Sequence, residues 1–137
     1  MDNCIFCKII AGEIPCTKVY ENDNVISFLD IMPANKGHCL VIPKKHSETL
    51  IETEDAILND IIQVTKKVAK AISLSLGNKS YNIIQNNGKA SGQVVNHIHF
   101  HIIPRFAKDG LKLSLGHKKY SGDEITKYAD KIKKFLD

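Results

Sequence analysis

A chain of 137 residues, 43% hydrophobic and 25% charged, carries enough apolar mass for a real core, and residues 1–137 read as a single domain. Its net charge of +4 suits an anionic small molecule; the lysines are scattered and not interleaved with aromatics, which argues against sequence-specific nucleic-acid binding. No apolar run approaches the roughly 20 residues of a membrane span, and the start lacks a basic stretch leading into a long apolar core, so no membrane association and a cytoplasmic location are expected.

In chain order, residues 6–12 read as a short helix closed by Gly12 and the Ile14-Pro15 step. Residues 17–20 and 25–29 read as strands around a polar turn, Glu21-Asn22-Asp23-Asn24. Residues 37–43 form a third strand, stopped by Pro43. A long helix is predicted over 53–76, with Thr53 as its cap and Gly77-Asn78 as its stop. Two further strands, 80–85 and 97–103, flank a glycine-containing loop at 86–93. A capping box, Ser121 to Glu124, opens a last helix with Ile125, Tyr128, Ala129, Ile132, Phe135 and Leu136 on one face. Strands, helix, strands, helix is the order of an α+β fold with a mostly antiparallel sheet.

Two stretches carry chemistry. The first is Cys4-Ile5-Phe6-Cys7. In a reducing compartment a disulfide framework is not expected, which leaves metal or redox chemistry. A thioredoxin-type pair should follow a strand, whereas this one opens the chain, so metal is the better reading. Cys16 and Cys39 have no paired neighbour and read as small buried side chains.

The second stretch is Asn96-His97-Ile98-His99-Phe100-His101-Ile102. Strict alternation is the strand period, so His97, His99 and His101 share one face, roughly 6.5–7 Å apart. One histidine there would be an ordinary half-buried residue. Three, out of six in the chain, make a site, because imidazole titrates near neutrality, ligates metals and attacks phosphorus. Arg105 reads as a structural ion-pair partner and His117 as a surface residue.

Together these residues resemble the histidine triad (HIT) family, in its zinc-bearing nucleotide-binding hydrolase branch. The resemblance runs through Cys4 to Pro15, Phe28-Leu29-Asp30-Ile31, Gly37-His38 into Val41-Ile42-Pro43-Lys44, Asn86-Asn87-Gly88, Gly92-Gln93, and the triad with Pro104-Arg105. It implies a five-stranded antiparallel sheet with a long helix and a C-terminal helix, dimerising into a ten-stranded sheet. It also implies cleavage between a purine nucleoside α-phosphate and its leaving group, through a nucleotidyl-histidine intermediate, releasing AMP or GMP.

By that resemblance His99 is the nucleophile, His101 bonds the phosphate or leaving group, and His38 lines the pocket beside them. Phe28, Asp30 and Ile31 would hold the nucleoside, and Asn86, Gly92, Gln93 and Val94 the phosphate region. A structural zinc would be held by Cys4, Cys7, His46 and His97, the two histidines being supplied by the resemblance alone. One departure matters: many members carry Ser or Thr where this chain has Val94, so a hydroxyl near the scissile bond is missing. A nucleoside phosphoramidase is the leading expectation. The alternatives are a dinucleoside polyphosphate hydrolase and a zinc-stabilised nucleotide-binding module whose hydrolysis is incidental. Nucleotidylyl transfer between sugar phosphates is disfavoured by His101, where that branch typically has Gln. A homodimer is expected because Ile57, Ile61, Val64, Val68 and Ala71, widened by Leu58, Ile62, Ala69, Ile72 and Leu76, give the long helix more apolar width than one small sheet needs.

Overall fold

The computed structural model describes residues 3–136. Five strands, β1 (Lys18–Glu21), β2 (Val25–Leu29), β3 (Cys39–Pro43), β4 (Tyr81–Gln85) and β5 (Phe100–Pro104), form one sheet in the order β1-β2-β3-β5-β4. Every pairing is antiparallel. The helices are α1 (Ile5–Ile10), α2 (Asp55–Leu76) and α3 (Glu124–Lys133).

The pleat sorts the central strands onto two faces. Val25, Cys39, Val41 and Ile102 pack against Ile61, Val64, Val68 and Ala69 of α2. The alternate residues Ile26, Phe28, Leu40 and Ile42 pack with Phe6, the one buried residue of α1. Both faces of β2 and β3 are thus covered, which is why these segments read as continuous apolar runs rather than alternating ones. Leu40 lies opposite His101 in the register, so the last triad histidine points to the α1 face.

Two sequence expectations need correction. The predicted cap Thr53 instead ends a short 3-10 turn, Leu50–Glu52, and its hydroxyl donates to the Thr49 carbonyl at 2.8 Å; Glu54 occupies the N-cap of α2 without a side-chain cap. The stop is as expected, with Gly77 left-handed at φ 62°.

The last central strand begins at Phe100, not at position 97. The preceding residues leave the ladder because their backbone is engaged elsewhere: the Ile98 N–H donates to the Ser47 carbonyl at 2.8 Å.

The C-terminal helix forms, and Glu124 accepts from the Ser121 N–H at 2.6 Å as half of the expected capping box. On its apolar stripe Ile125, Tyr128, Ile132, Phe135 and Leu136 are all exposed. No helix among the described residues is long and apolar enough to cross a membrane.

Candidate functional site

The chain brings His38, His97, His99 and His101 together on the α1 face. His38 immediately precedes β3, His101 lies within β5, and His97 and His99 lie in the stretch that leaves the ladder. His99 and His101 stack edge to face with ring centroids 5.0 Å apart. His101 and His38 are 5.1 Å apart. Phe6 lays its ring against both His97 (5.8 Å) and His99 (5.1 Å).

Hydrogen bonds to the backbone fix the tautomers. The Nδ1–H of His99 donates to the His97 carbonyl at 2.7 Å, which leaves Nε2 with its lone pair free. His38 accepts the Ala34 N–H on Nδ1 at 3.0 Å, so its own proton sits on Nε2 and donates to Nδ1 of His101 at 2.9 Å. His101 in turn carries its proton on Nε2. Burial holds the group in the neutral form: it lowers His99 and His38 below the ordinary imidazole value and, with His99 and His38 beside it, brings His101 down to about 4. The result is one imidazole with a free lone pair beside another with a free N–H, the pair required to attack phosphorus and to donate to a departing group.

Asp30 lies at the mouth. One carboxylate oxygen accepts the Met32 N–H at 2.9 Å, and the other is 3.7 Å from Nε2 of His38. Phe28 is buried, edge-on to Phe6 at 5.9 Å, while Ile31 is 90% exposed.

The loop after β4 differs from the sequence expectation in one respect. The Gln93 side chain is committed to backbone, accepting from the Gly88 N–H at 2.7 Å and donating to the carbonyls of Glu48 and Val95. Gln93 therefore braces the loop, whereas the Asn86 amide side chain has no partner among the described hydrogen bonds and lies beside Gly92. Gly92 is left-handed at φ 100°, a conformation costly for any other residue. Val94 is 90% exposed.

Behind the triad lies a second constellation. Cys4 caps α1, accepting the Cys7 N–H on its sulfur at 3.4 Å. The His97 Nε2–H donates to the Pro43 carbonyl at 2.8 Å, which turns the Nδ1 lone pair toward Cys4 (3.4 Å), Cys7 (3.6 Å) and Nδ1 of His46 (3.1 Å). His46 is 3.4 Å from the Cys7 sulfur. These edges are close to the roughly 3.3–3.8 Å expected of a tetrahedron whose arms are about 2.0–2.3 Å, so the donor set fits a closed zinc site. Asp30, His38 and His101 also cluster within 4.8 Å, but His38 has no lone pair left for a metal: Nδ1 is accepting from Ala34 and Nε2 carries the proton.

Sequence reasoning overlooked two contributors. The Ala34 N–H acts through its backbone and has no side-chain signature. Phe6 was visible as one of the two apolar residues between the cysteines, but nothing in the sequence said that its ring would reach His97 and His99.

Of the two cysteines read as buried, Cys39 is, its thiol pushed up to about 11, whereas Cys16 is only half-buried against the α1-side core. Arg105 pairs with Asp109 at 2.9 Å, and His117 is exposed.

Comparison with known proteins agrees with this geometry. Residues 11–108 match the HIT domain. The chain is 45% identical to an adenosine 5'-monophosphoramidase of Schizosaccharomyces pombe, over 95% of this chain and 96% of that one. It is 42% identical to an adenylylsulfatase of Arabidopsis thaliana, over 88% of this chain and 61% of that one. Among solved structures, a HIT family protein from Bacillus subtilis superposes with a TM-score of 0.92 at 42% identity, covering 98% of both chains. A zinc-bound histidine triad protein from Mycobacterium smegmatis superposes at 0.77 with 38% identity, covering 82% of this chain and 81% of that one. With its triad, loop and sheet in this arrangement, the chain belongs to the HIT family, in the branch of histidine triad nucleotide-binding proteins, whose members include nucleotide hydrolases.

Proposed function

We propose that this protein is a nucleoside phosphoramidase that releases a purine nucleoside monophosphate through a nucleotidyl intermediate on His99. The observation that carries the reading is the tautomer lock: the His97 carbonyl holds the proton of His99 on Nδ1, so Nε2 is a ready nucleophile at neutral pH. In the first step Nε2 bonds to the α-phosphorus and the phosphorus–nitrogen bond breaks. The leaving nitrogen takes the Nε2 proton of His101, and the positive charge formed on the phosphorylated His99 ring offsets the proton given up. In the second step water attacks phosphorus, returns a proton to His101 and frees His99. His38 holds His101 in the donating tautomer.

Asp30 accepts the ribose hydroxyls, Phe28 and Ile31 enclose the base, and Asn86, with the backbone around Gly92 and Val94, faces the phosphate; Gln93 keeps that loop in shape. The two named relatives, a monophosphoramidase and an adenylylsulfatase, support a site that keeps its nucleotide and varies its leaving group. An amine suits this chain because it asks only for a proton, which His101 supplies without the hydroxyl absent at Val94.

Zinc belongs to this reading as a structural ion on Cys4, Cys7, His46 and His97, fastening α1 to the sheet and fixing the ring of His97. A homodimer belongs to it as well. β4 is an edge strand whose Tyr81 and Ile83 are exposed beside Ile62 and Ala69 of α2, in an apolar groove of about 270 Å³.

The test is turnover of adenosine 5'-phosphoramidate by wild type and His99→Ala, with rapid quenching to trap a phosphohistidine. Wild type should accumulate the adduct, and His99→Ala should lose activity while still binding AMP. Near-normal turnover by His99→Ala would sink the mechanism.

A further inference from the structure

Between β2 and β3 the chain crosses an irregular loop, residues 30–38, which carries the Ala34 N–H to the ring of His38. Residues 31–34 and Lys36 are exposed, so burial does little to place that N–H. At the far end Gly37 runs close against β5, where an added Cβ would come within 3.3 Å of Pro104. Among the described hydrogen bonds, the one side-chain tether from residues 31–37 to another part of the fold is Asn35.

Both hydrogens of the Asn35 amide are used. One goes to the Pro104 carbonyl and the other to Oδ2 of Asp109, each at 2.9 Å. The Asn35 carbonyl accepts the His38 N–H at 3.0 Å. Asn35 thus joins the end of β5 to the backbone of His38, one residue from the N–H that fixes the His38 tautomer.

Asp109 is held as a rigid acceptor, with a side chain only 8% exposed. Its oxygens accept from Arg105 at 2.9 and 3.2 Å, from the Phe106 N–H at 3.1 Å and from the Leu111 N–H at 3.0 Å. Arg105 is fixed in turn by Asn82 at 2.9 Å and by the Leu111 carbonyl at 2.7 Å. The turn persists although Lys108 sits at φ 61°, a costly conformation for a residue with a Cβ. Arg105 and two backbone N–H groups already satisfy the carboxylate. Its bond to Asn35 is the one that reaches out of the turn, toward the site.

We propose that Asp109 is a positioning residue for the histidine triad: through Asn35 it fixes the Ala34 N–H beside His38 and so keeps the His101 proton on Nε2. This deepens the mechanism proposed above and rests on its tautomer assignment. Asp109 touches no reacting atom. Once the loop is released, Ala34 no longer occupies Nδ1 of His38, and the His38 proton can move there. His38 then accepts from Nδ1–H of His101, and His101 turns a lone pair, not a proton, toward the leaving nitrogen.

The experiment compares the full chain as wild type, Asn35→Ala, Asp109→Asn, the double variant and the control Asn82→Ala, which removes a different bond of the same guanidinium. Long-range proton–nitrogen NMR at pH 7.5 reads the tautomers of His38 and His101 without any substrate. Turnover of adenosine 5'-phosphoramidate and affinity for AMP are measured beside it. Asn35→Ala and Asp109→Asn should each shift part of His101 to the Nδ1–H form. Turnover should fall by about threefold to tenfold, less than when a donor to the reacting centre is deleted, with AMP affinity within about twofold. The double variant should be little worse than Asn35→Ala, because both changes break one path. Asn82→Ala should lower the melting temperature and leave tautomers and turnover as in wild type.

Tautomers in Asn35→Ala identical to those of wild type would overturn the proposal, as would an equal loss of turnover in Asn82→Ala, which would make the network structural only. A wild type with its His101 proton on Nδ1 would overturn both the proposal and the mechanism it rests on. A wild type inactive on the phosphoramidate, with tautomers shifted in both loop variants, would support the positioning role and overturn only the substrate.

Discussion

His38 donates its Nε2–H to Nδ1 of His101 across 2.9 Å, and the Ala34 N–H on the far side of the His38 ring makes that the only proton arrangement a neutral pair can adopt. The consequence is directional. His101 presents a proton, never a lone pair, to whatever lies beside His99.

His38→Ala therefore should not remove a group that touches phosphorus; it should let His101 populate the wrong tautomer. Turnover should fall by about 10–10², less than for His101→Ala, for which loss of a single donor to the reacting centre predicts about 10²–10³. His38→Gln, whose amide N–H can still donate to Nδ1 of His101, should recover part of the loss. Steady-state turnover of the three variants checks this, and equal losses for His38→Gln and His38→Ala would show that the tautomer is not what His38 controls.

The zinc reading has its own outcome. Protein purified without chelator should hold close to one zinc per chain by metal analysis, and Cys4→Ser or Cys7→Ser should lose it. Because α1 has only Phe6 buried, losing the ion should free that helix: thermal stability should drop and proteolysis should cut within residues 3–12 first. Wild type without bound metal, at unchanged stability, would remove zinc from the account.

Acid should destabilise the fold over a defined window. Burial lowers His38, His99 and His101 below the ordinary imidazole value, His101 to about 4, whereas the unfolded chain takes up protons near 6.5. Between those values the unfolded state binds more protons, so the neutral histidines favour folding fully above pH 6.5 and progressively less as pH falls toward 4. Melting temperatures measured from pH 7.5 to 4.5 should decline throughout that range, with a shallower decline for His101→Ala. A flat profile would mean the rings stay solvated.

Much of this was legible in the sequence because it depends on side chains at fixed spacing. Alternation put His99 and His101 on one face, and the long apolar period over 57–76 marked the helix behind the sheet. Less legible was everything that depends on backbone. His97 leaves the ladder because Ile98 bonds to Ser47, and Thr53 turns back to Thr49 instead of capping α2; both reflect tertiary hydrogen bonds no local pattern encodes. Gln93 was placed at the phosphate region by the family resemblance alone, whereas its side-chain amide ties the loop to the Glu48 carbonyl. For α3, the apolar stripe was read from the sequence, but a stripe does not say what, if anything, covers it.

Phe6 supplies the last prediction. Its ring edge meets His99 at 5.1 Å and 82° and His97 at 5.8 Å and 81°, so one side chain touches both the proposed nucleophile and a proposed zinc ligand. It packs against Phe28 as well. Edge-to-face aromatic contacts contribute about 0.5–1.5 kcal/mol beyond burial, enough to hold a ring orientation but not to create one. Phe6→Leu keeps most of the apolar volume and removes those contacts. If the ring of His99 is held for in-line attack partly by Phe6, turnover should fall by up to about tenfold, the rate equivalent of roughly 1.4 kcal/mol. AMP affinity and zinc content should change far less, because Phe6 is neither a phosphate contact nor a metal ligand. Phe6→Ala should add a cavity at a cost of about 3–5 kcal/mol and serve as the stability control. The informative comparison is turnover against AMP affinity in Phe6→Leu at full zinc loading. A loss confined to turnover makes Phe6 a positioning residue, whereas unchanged turnover would reduce it to core packing.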